Sequence, residues 1–596
     1  MTKFITRLLT ALVVVLMVAS CSTPTEVPTE APTEAPAEEP TEAPVEEPTD
    51  EPAEEPTEEP AEEPAEEPAE EPADDKSGGT LTVGFMSTIQ DTGDLHLSTS
   101  SHSAFLAGHV LDTLLRKDPA DGSFNPGLAE SWEVSDDNKS ITLYLRDDVT
   151  FHDGTPFNAE AVKYNMDRIA TLPEAKGSEA YAFLGAGGQY DGTEVIDEYT
   201  VEISWNAPYA RMLDAMAANP SGAIHSPAAM EEYGESYGTD AIVGTGPFKF
   251  VEWTGPLGEF TVVRNEEYGW GSPIYNHQGP AYLEGFTVKG IVEAGTRRSA
   301  LEAGSLDVSF LAESDYPYFK DREGYQTELF AKQGTARILN FNVQRPIMKD
   351  IRVRKAIVQA IDREALLQAP AFGQGVPDKA YSFISEATWG SDTEEEFGEY
   401  CLSYDPESAK ALLEEAGWTD EDGDGVREAN GVEGVEDGTP LVLQEAVNAN
   451  VREKSVLIQG MLADVGIKDE MIVEDFATMH ARRVSGDYDF SIFSNSGSDY
   501  FVMAPFFDSR EIDSNNMARY ENPRIDELID EASQTVDPQE QKEIFREIQM
   551  ILLEDLPAHP MWNLNYPWAY DESVKDLTVD SNGIGVYLYD AYIEAE

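Results

Sequence analysis

Histidine is the side chain best suited to a preformed metal or proton-transfer site, and the chain has eight: His96, His102, His109, His152, His225, His277, His480 and His559. None is spaced as HxH or HxxxH, so no linear pair sets two imidazoles on one ion. An HExxH helix and a phosphate loop are likewise missing from the sequence. A hydrolase built from distant segments leaves no linear trace and stays as the enzymatic alternative. The two cysteines, Cys21 and Cys401, exclude a disulfide scaffold and a Cys-rich zinc module. Cys401 fits a small, buried apolar role. The run Asp420-Glu421-Asp422-Gly423-Asp424-Gly425 begins like a calcium loop, with acids at alternate positions and Gly in the sixth. Its twelfth position is Gly431 where a bidentate Glu is needed. Asp420, Asp422 and Asp424 are therefore read as an exposed acidic turn, with a metal site as the weaker alternative. No cofactor is called for.

Such side chains act only where a fold positions them, and not all of this chain is built to fold. It has 596 residues, 40 Lys+Arg against 114 Asp+Glu, a net charge of −74 and 41% hydrophobic residues. That acidity excludes a nucleic-acid binder, which must neutralise phosphates with bases. Residues 1–21 carry Lys3 and Arg7, an apolar run from Leu8 to Met17, and Val18-Ala19-Ser20-Cys21. The run is about half the ~20 residues that span a bilayer, the layout of a secretory signal. Val18 to Cys21 resembles the bacterial lipobox, which implies a lipid on Cys21. The competing reading is a plain signal with an incidental Cys. Residues 22–77 hold 13 Pro, 22 acids and one base, with no apolar set to bury, and read as a disordered linker. Extended at ~3.1 Å per residue, this tether reaches about 170 Å at most.

Residues 78–596 keep 92 of the acids and 37 of the bases, a net of about −55. Two explanations compete for that excess: a field that concentrates cationic solutes, or adaptation to a saline exterior that screens self-repulsion. Strand and helix signals alternate through this part. Ile141, Leu143 and Leu145 alternate with Thr142, Tyr144 and Arg146 as in a half-buried strand. Asn158, Asp405 and Asp537 stand as N-caps before amphipathic runs, the last two followed by Pro at the first helical position. The pattern predicts a mixed α/β body.

Longer strings narrow the class. Pro126-Gly127-Leu128-Ala129-Glu130-Ser131-Trp132, Leu145-Arg146-Asp147-Asp148-Val149-Thr150-Phe151-His152-Asp153-Gly154, Gly244-Thr245-Gly246-Pro247-Phe248 and Asp350-Ile351-Arg352-Val353-Arg354-Lys355-Ala356 resemble the family 5 extracellular solute-binding proteins. Tyr404-Asp405-Pro406-Glu407, Gly486-Asp487-Tyr488-Asp489 and Glu554-Asp555-Leu556-Pro557 continue the resemblance in order over nearly all of residues 78–596. It implies peptide, nickel or opine receptors of ABC importers, with the two-lobed periplasmic-binding-protein type II (cluster C) fold and an extra domain. Residues 78–121, 244–336 and 565–596 would form lobe I, residues 122–243 the extra domain packed on it, and residues 337–564 lobe II. Two crossings make a hinge that closes on the ligand. The strings at 151–157 and 244–248 then serve as turns and packing, and His152 is structural.

The resemblance also implies site residues. Ser498-Asp499-Tyr500 follows the short strand 490–494, and in peptide receptors an Asp at this place pairs with the α-ammonium, which needs a charged partner once desolvated. The run 495–498 departs from the Trp-rich and Asp-Pro-rich version, so the register can slip by one, and a solvated loop acid is the competing reading. Asn448 to Arg452 resembles the segment whose Arg holds the ligand carboxylate through two parallel bonds; an exposed helix-start Arg452 is the alternative. Asn340 and Asn342 near the hinge, Tyr500 with Phe501, and Ser98, Ser100 and His102 after the first strand complete the candidates. The implied function is a lipid-anchored, monomeric receptor, not an enzyme. It passes a peptide or similar small polar solute to ABC permease and ATPase subunits, outside the cytoplasm. A nickel or metal-chelate receptor and a surface solute sensor are the alternatives.

Overall fold

A computed structural model describes residues 76–594, apart from 120, 374–375, 390, 449–450, 498 and 580–584. The signal segment, Cys21, nearly all of the linker, and Ser498 thus lie outside the described residues, which all belong to one unit, Asp74–Glu596. Among them no helix is long and apolar enough to cross a membrane.

Three sheets carry the architecture. The largest has seven strands in the order Tyr325–Ala331, Asn565–Asp571, Val308–Phe310, Thr80–Phe85, Gly285–Gly290, Glu259–Arg264 and Phe248–Trp253. Its centre is parallel, Thr80–Phe85 lying between Gly285–Gly290 and Val308–Phe310. Val83 and Phe85 are sealed within it, and the Phe85 ring stacks on Trp568 with centroids 5.6 Å apart. Gly285 permits a close approach, since a Cβ there would lie 2.4 Å from the Val262 carbonyl oxygen.

The second sheet, of six strands, runs Asp378–Lys379, Ala558–Asn563, Arg337–Phe341, Phe490–Phe493, Val442–Asn448 and Lys468–Glu474. The last three are mutually parallel. Helices Ile351–Ala360, Pro406–Glu415 and Arg452–Ala463 flank it, with Leu413, Ile357 and Ile458 buried. Asp405 accepts the Ser408 amide, and Asp537 accepts the Gln539 and Glu540 amides, as their cap positions predict.

The third sheet is antiparallel, in the order Ala129–Val134, Ser140–Leu145, Thr200–Trp205 and Tyr190–Asp197. Ile141, Leu143, Val201 and Ile203 face its core, against Val162, Met166 and Ile169 of helix Ala159–Thr171, capped by Asn158. His152 ties this region to the next string: its Nε2 donates to the Gly246 carbonyl at 2.9 Å, and its backbone N–H donates to Gly244. Burial pushes the imidazole down to about 4, which suits a neutral packing residue.

The chain passes between the two larger sheets twice. One passage is residues 332–336, between Tyr325–Ala331 and Arg337–Phe341; the other is the single residue Leu564, between Ala558–Asn563 and Asn565–Asp571. A backbone bond from Lys332 N–H to the Leu564 carbonyl (2.8 Å) joins the two passages.

Candidate functional site

The six-stranded sheet sends the C-terminal ends of its parallel strands Val442–Asn448 and Phe490–Phe493 toward the two crossings. Such ends are where open α/β sheets take their ligands, since no crossover helix covers them. A cavity of about 490 Å³ lies there, within the range of small-molecule sites. Asn448 and Val451 line it after the first strand, Ser494 and Asn495 after the second, Lys332 and Leu564 from the crossings, and Arg483 from helix Phe476–Ser485.

The electrostatics of this wall run against the rest of the molecule. Acids outnumber bases 114 to 40 in the chain, yet among the described residues the lining includes Lys332, Arg337 and Arg483 and no Asp or Glu. Lys332 is 5% exposed, and its ammonium donates only to neutral carbonyls, Asn495 at 2.6 Å and Gln333 at 3.4 Å. Burial, aided by the nearby Arg337 charge, pushes it down to about 7. Arg483 is 3% exposed; its Nε and Nη1 have no hydrogen-bond partner among the described residues, and its guanidinium lies 5.1 Å from the Phe493 ring centre. Burial lowers the pKa of both arginines. The neighbours differ: Arg482 is paired with Glu474 at 2.6 Å and Asp487 at 2.8 Å, and Lys454 with Glu313.

Asp499 is 8% exposed, with its carboxylate 2.7 Å from Nε of Arg211. Arg211 follows the antiparallel sheet, so the pair joins that part of the chain to the six-stranded half. Behind it Lys117 holds Asp214 at 2.6 Å, and burial raises the Asp214 pKa. The Ala210 N–H donates to the Ser533 carbonyl at 3.2 Å beside the pair. Glu313 to Lys454 is a second ion pair between the halves.

The other expected residues are placed as follows. Arg452 opens helix Arg452–Ala463 and is exposed, while its neighbour Val451 lines the cavity. Tyr500 is buried, stacked on Phe545 at 5.4 Å, with its hydroxyl unpartnered among the described residues. Asn340 donates to the Tyr488 hydroxyl at 3.0 Å. Asn342 donates to the Gly486 and Tyr488 carbonyls and accepts the Gln344 amide, stitching the turn after its strand. Nδ1 of His102 lies 2.9 Å from both Ser87 Oγ and Gln90 Nε2, with the ring tilted over Phe85. Asp420 and Asp422 come within 4.8 Å of Glu428, three carboxylates offering one oxygen each. Asp424 accepts the Val426 amide, and both oxygens of Asp420 already accept backbone amides. Burial pushes the Cys401 thiol up to about 11, far from a nucleophile.

Lys332, Arg337 and Arg483 were not singled out by their sequence positions. The available signal was scarcity: in so acidic a chain, bases beside a hinge and a strand start carry information.

Two lobes joined by two crossings, with a cavity beside the crossings, define a periplasmic-binding-protein type of fold. The chain belongs to the bacterial extracellular solute-binding proteins, family 5, whose middle-region model matches residues 123–517. It is a solute-binding protein of the ABC-importer class, not an enzyme, and acts outside the cytoplasm. It is 28% identical over 469 residues to the nickel-binding periplasmic protein of Escherichia coli (strain K12), covering 76% of this chain and 83% of that one. It is 29% identical over 459 residues to the glutathione-binding protein GsiB of Salmonella typhi, covering 73% and 79%. The fold matches NikA from Brucella suis in complex with Fe(III)-EDTA, with TM-score 0.74 and 24% identity over 87% of this chain and 100% of that one. It also matches DppA from Helicobacter pylori in complex with the peptide STSA, with TM-score 0.68 and 21% identity over 87% and 99%.

Proposed function

We propose that this protein is a lipid-anchored receptor that captures a short peptide or similar small polar solute between its lobes and delivers it to ABC permease and ATPase subunits. The observation that carries this reading is the cavity at the two crossings, lined from the hinge and from the six-stranded sheet together. A solute held there makes contacts that depend on the angle between the lobes, so its binding energy favours the closed arrangement. Arg337 and Arg483 suit a solute carboxylate, which a guanidinium holds through two parallel bonds. The Arg211 to Asp499 pair then acts as a closing contact. Cys21 would carry the lipid and residues 22–77 the slack between membrane and receptor, as a monomer.

A second reading, an anionic metal chelate, draws on the same wall, because chelators present carboxylates to the protein while they hold the metal. Mass spectrometry of solute released by denaturing freshly purified protein separates the two. A peptide supports the first, a metal with its chelator supports the second, and turnover of a peptide or ester panel would refute both.

A further inference from the structure

Removing a charge from water costs several kcal/mol when no counter-charge meets it, and proteins rarely leave such groups uncompensated. Here three cations share one cavity and none has an acid at salt-bridge distance among the described residues; Glu313, itself paired with Lys454, favours the charge of the half-buried Arg337 from further off. Lys332 is spent on two carbonyls, Arg483 keeps Nε and Nη1 without a partner, and Arg337 lies near enough to depress the lysine. The chain is not short of acids, since Glu474 and Asp487 take Arg482, one residue from Arg483. Their absence from this one wall leaves the compensating charge to be supplied from outside.

Resting on the reading that this cavity holds the transported solute, we propose that the solute carries two or more anionic groups, carboxylates in the first instance, divided between Arg337 and Arg483, with the Lys332 ammonium completing the set. A solute with one carboxylate meets one guanidinium and leaves the other without an acid at salt-bridge distance. A cationic solute adds a fourth like charge to the wall. The overall acidity does not oppose this, because exposed charges more than about 8 Å away are largely screened at physiological salt, whereas the three cations are in contact with the site.

The test uses the purified full-length protein and four probes: Glu-Glu, Gln-Gln, Lys-Lys and citrate, each titrated by calorimetry. Glu-Glu and citrate are expected to bind, Gln-Gln roughly 10- to 150-fold more weakly, the range of one charged hydrogen bond, and Lys-Lys not at all. Arg483→Gln should weaken Glu-Glu by the same range while raising the unfolding temperature of the solute-free protein, because a stranded charge has been removed. A residue of merely structural role would lower both. Gln-Gln or Lys-Lys binding as tightly as Glu-Glu would overturn the anionic assignment and leave the receptor reading intact, and so would a released native solute with fewer than two acidic groups. Failure of all four probes, with no solute released on denaturation, would sink both.

Discussion

Replacing Asp499 by Asn tests how the lobes are held together. The wild-type carboxylate is 8% exposed and 2.7 Å from Nε of Arg211, whose side chain is 24% exposed. Breaking a fully buried pair by removing one partner costs about 3–5 kcal/mol, and an exposed pair about 0–1 kcal/mol. Two features place this pair between those limits. A quarter of the Arg211 side chain reaches solvent, and loss of the Asp499 charge relieves its repulsion of Asp214. A cost of about 2 kcal/mol follows, roughly 30-fold in the equilibrium between parted and touching lobes. Because the pair lies outside the cavity, every solute should lose affinity by a similar factor, whatever its chemistry. Calorimetry with Glu-Glu, which carries an ammonium, and with citrate, which carries none, reads this directly. Arg211→Gln should reproduce the loss, and the double variant should lose little more than either single. A selective loss of Glu-Glu with citrate unchanged would refute the closure argument and place Asp499 on the solute ammonium. Unchanged affinities for both would show that the pair holds nothing.

Three further outcomes follow from other parts of the molecule. Burial pushes Asp469 up to about 7 and, with the Asp469 charge, raises Glu445 well above the carboxylate range; raised acids contribute stability below pH ~4 that is lost as pH climbs through the folded values. Glu445→Gln should therefore be more stable than wild type at pH 8 by calorimetry, with a flatter profile, and parallel profiles would refute the pairing. Lys332 stands at about 7, so an anionic solute that restores its charge should draw in a fraction of a proton at pH 7.5. Calorimetry in buffers of different ionisation enthalpy reads that fraction, and zero uptake would count against contact with Lys332. Cys21→Ser should release the protein from membranes into the soluble fraction; unchanged membrane retention would refute lipidation at that residue.

The fold class was legible because its signals are local and ordered. The alternation at Ile141, Leu143 and Leu145 lies within Ser140–Leu145, and Asn158, Asp405 and Asp537 each cap the helix that follows. The binding chemistry was less legible because it is made by tertiary contact. Arg482 and Arg483 are adjacent in sequence, yet about 100° of helical turn sends one to Glu474 and the other into the cavity. Asp499 meets Arg211 across 288 residues, a separation no local pattern encodes. Net charge is no better guide to the site. The sum over the surface, whether it reflects cationic solutes or a saline exterior, carries no information about the sign of one wall.

The passage through residues 332–336 contains Gly334, at φ +114°, where a Cβ would lie 2.2 Å from the Asn495 carbonyl oxygen. That carbonyl receives the Lys332 ammonium, while the other passage is one residue long and offers only two soft dihedrals. The passage between the halves and the proposed grip on the solute therefore share the same few atoms. Under the proposed function, occupancy becomes an angle at the axle, so a transporter that reads only the outer surface of the two lobes would tell full from empty without touching the cargo.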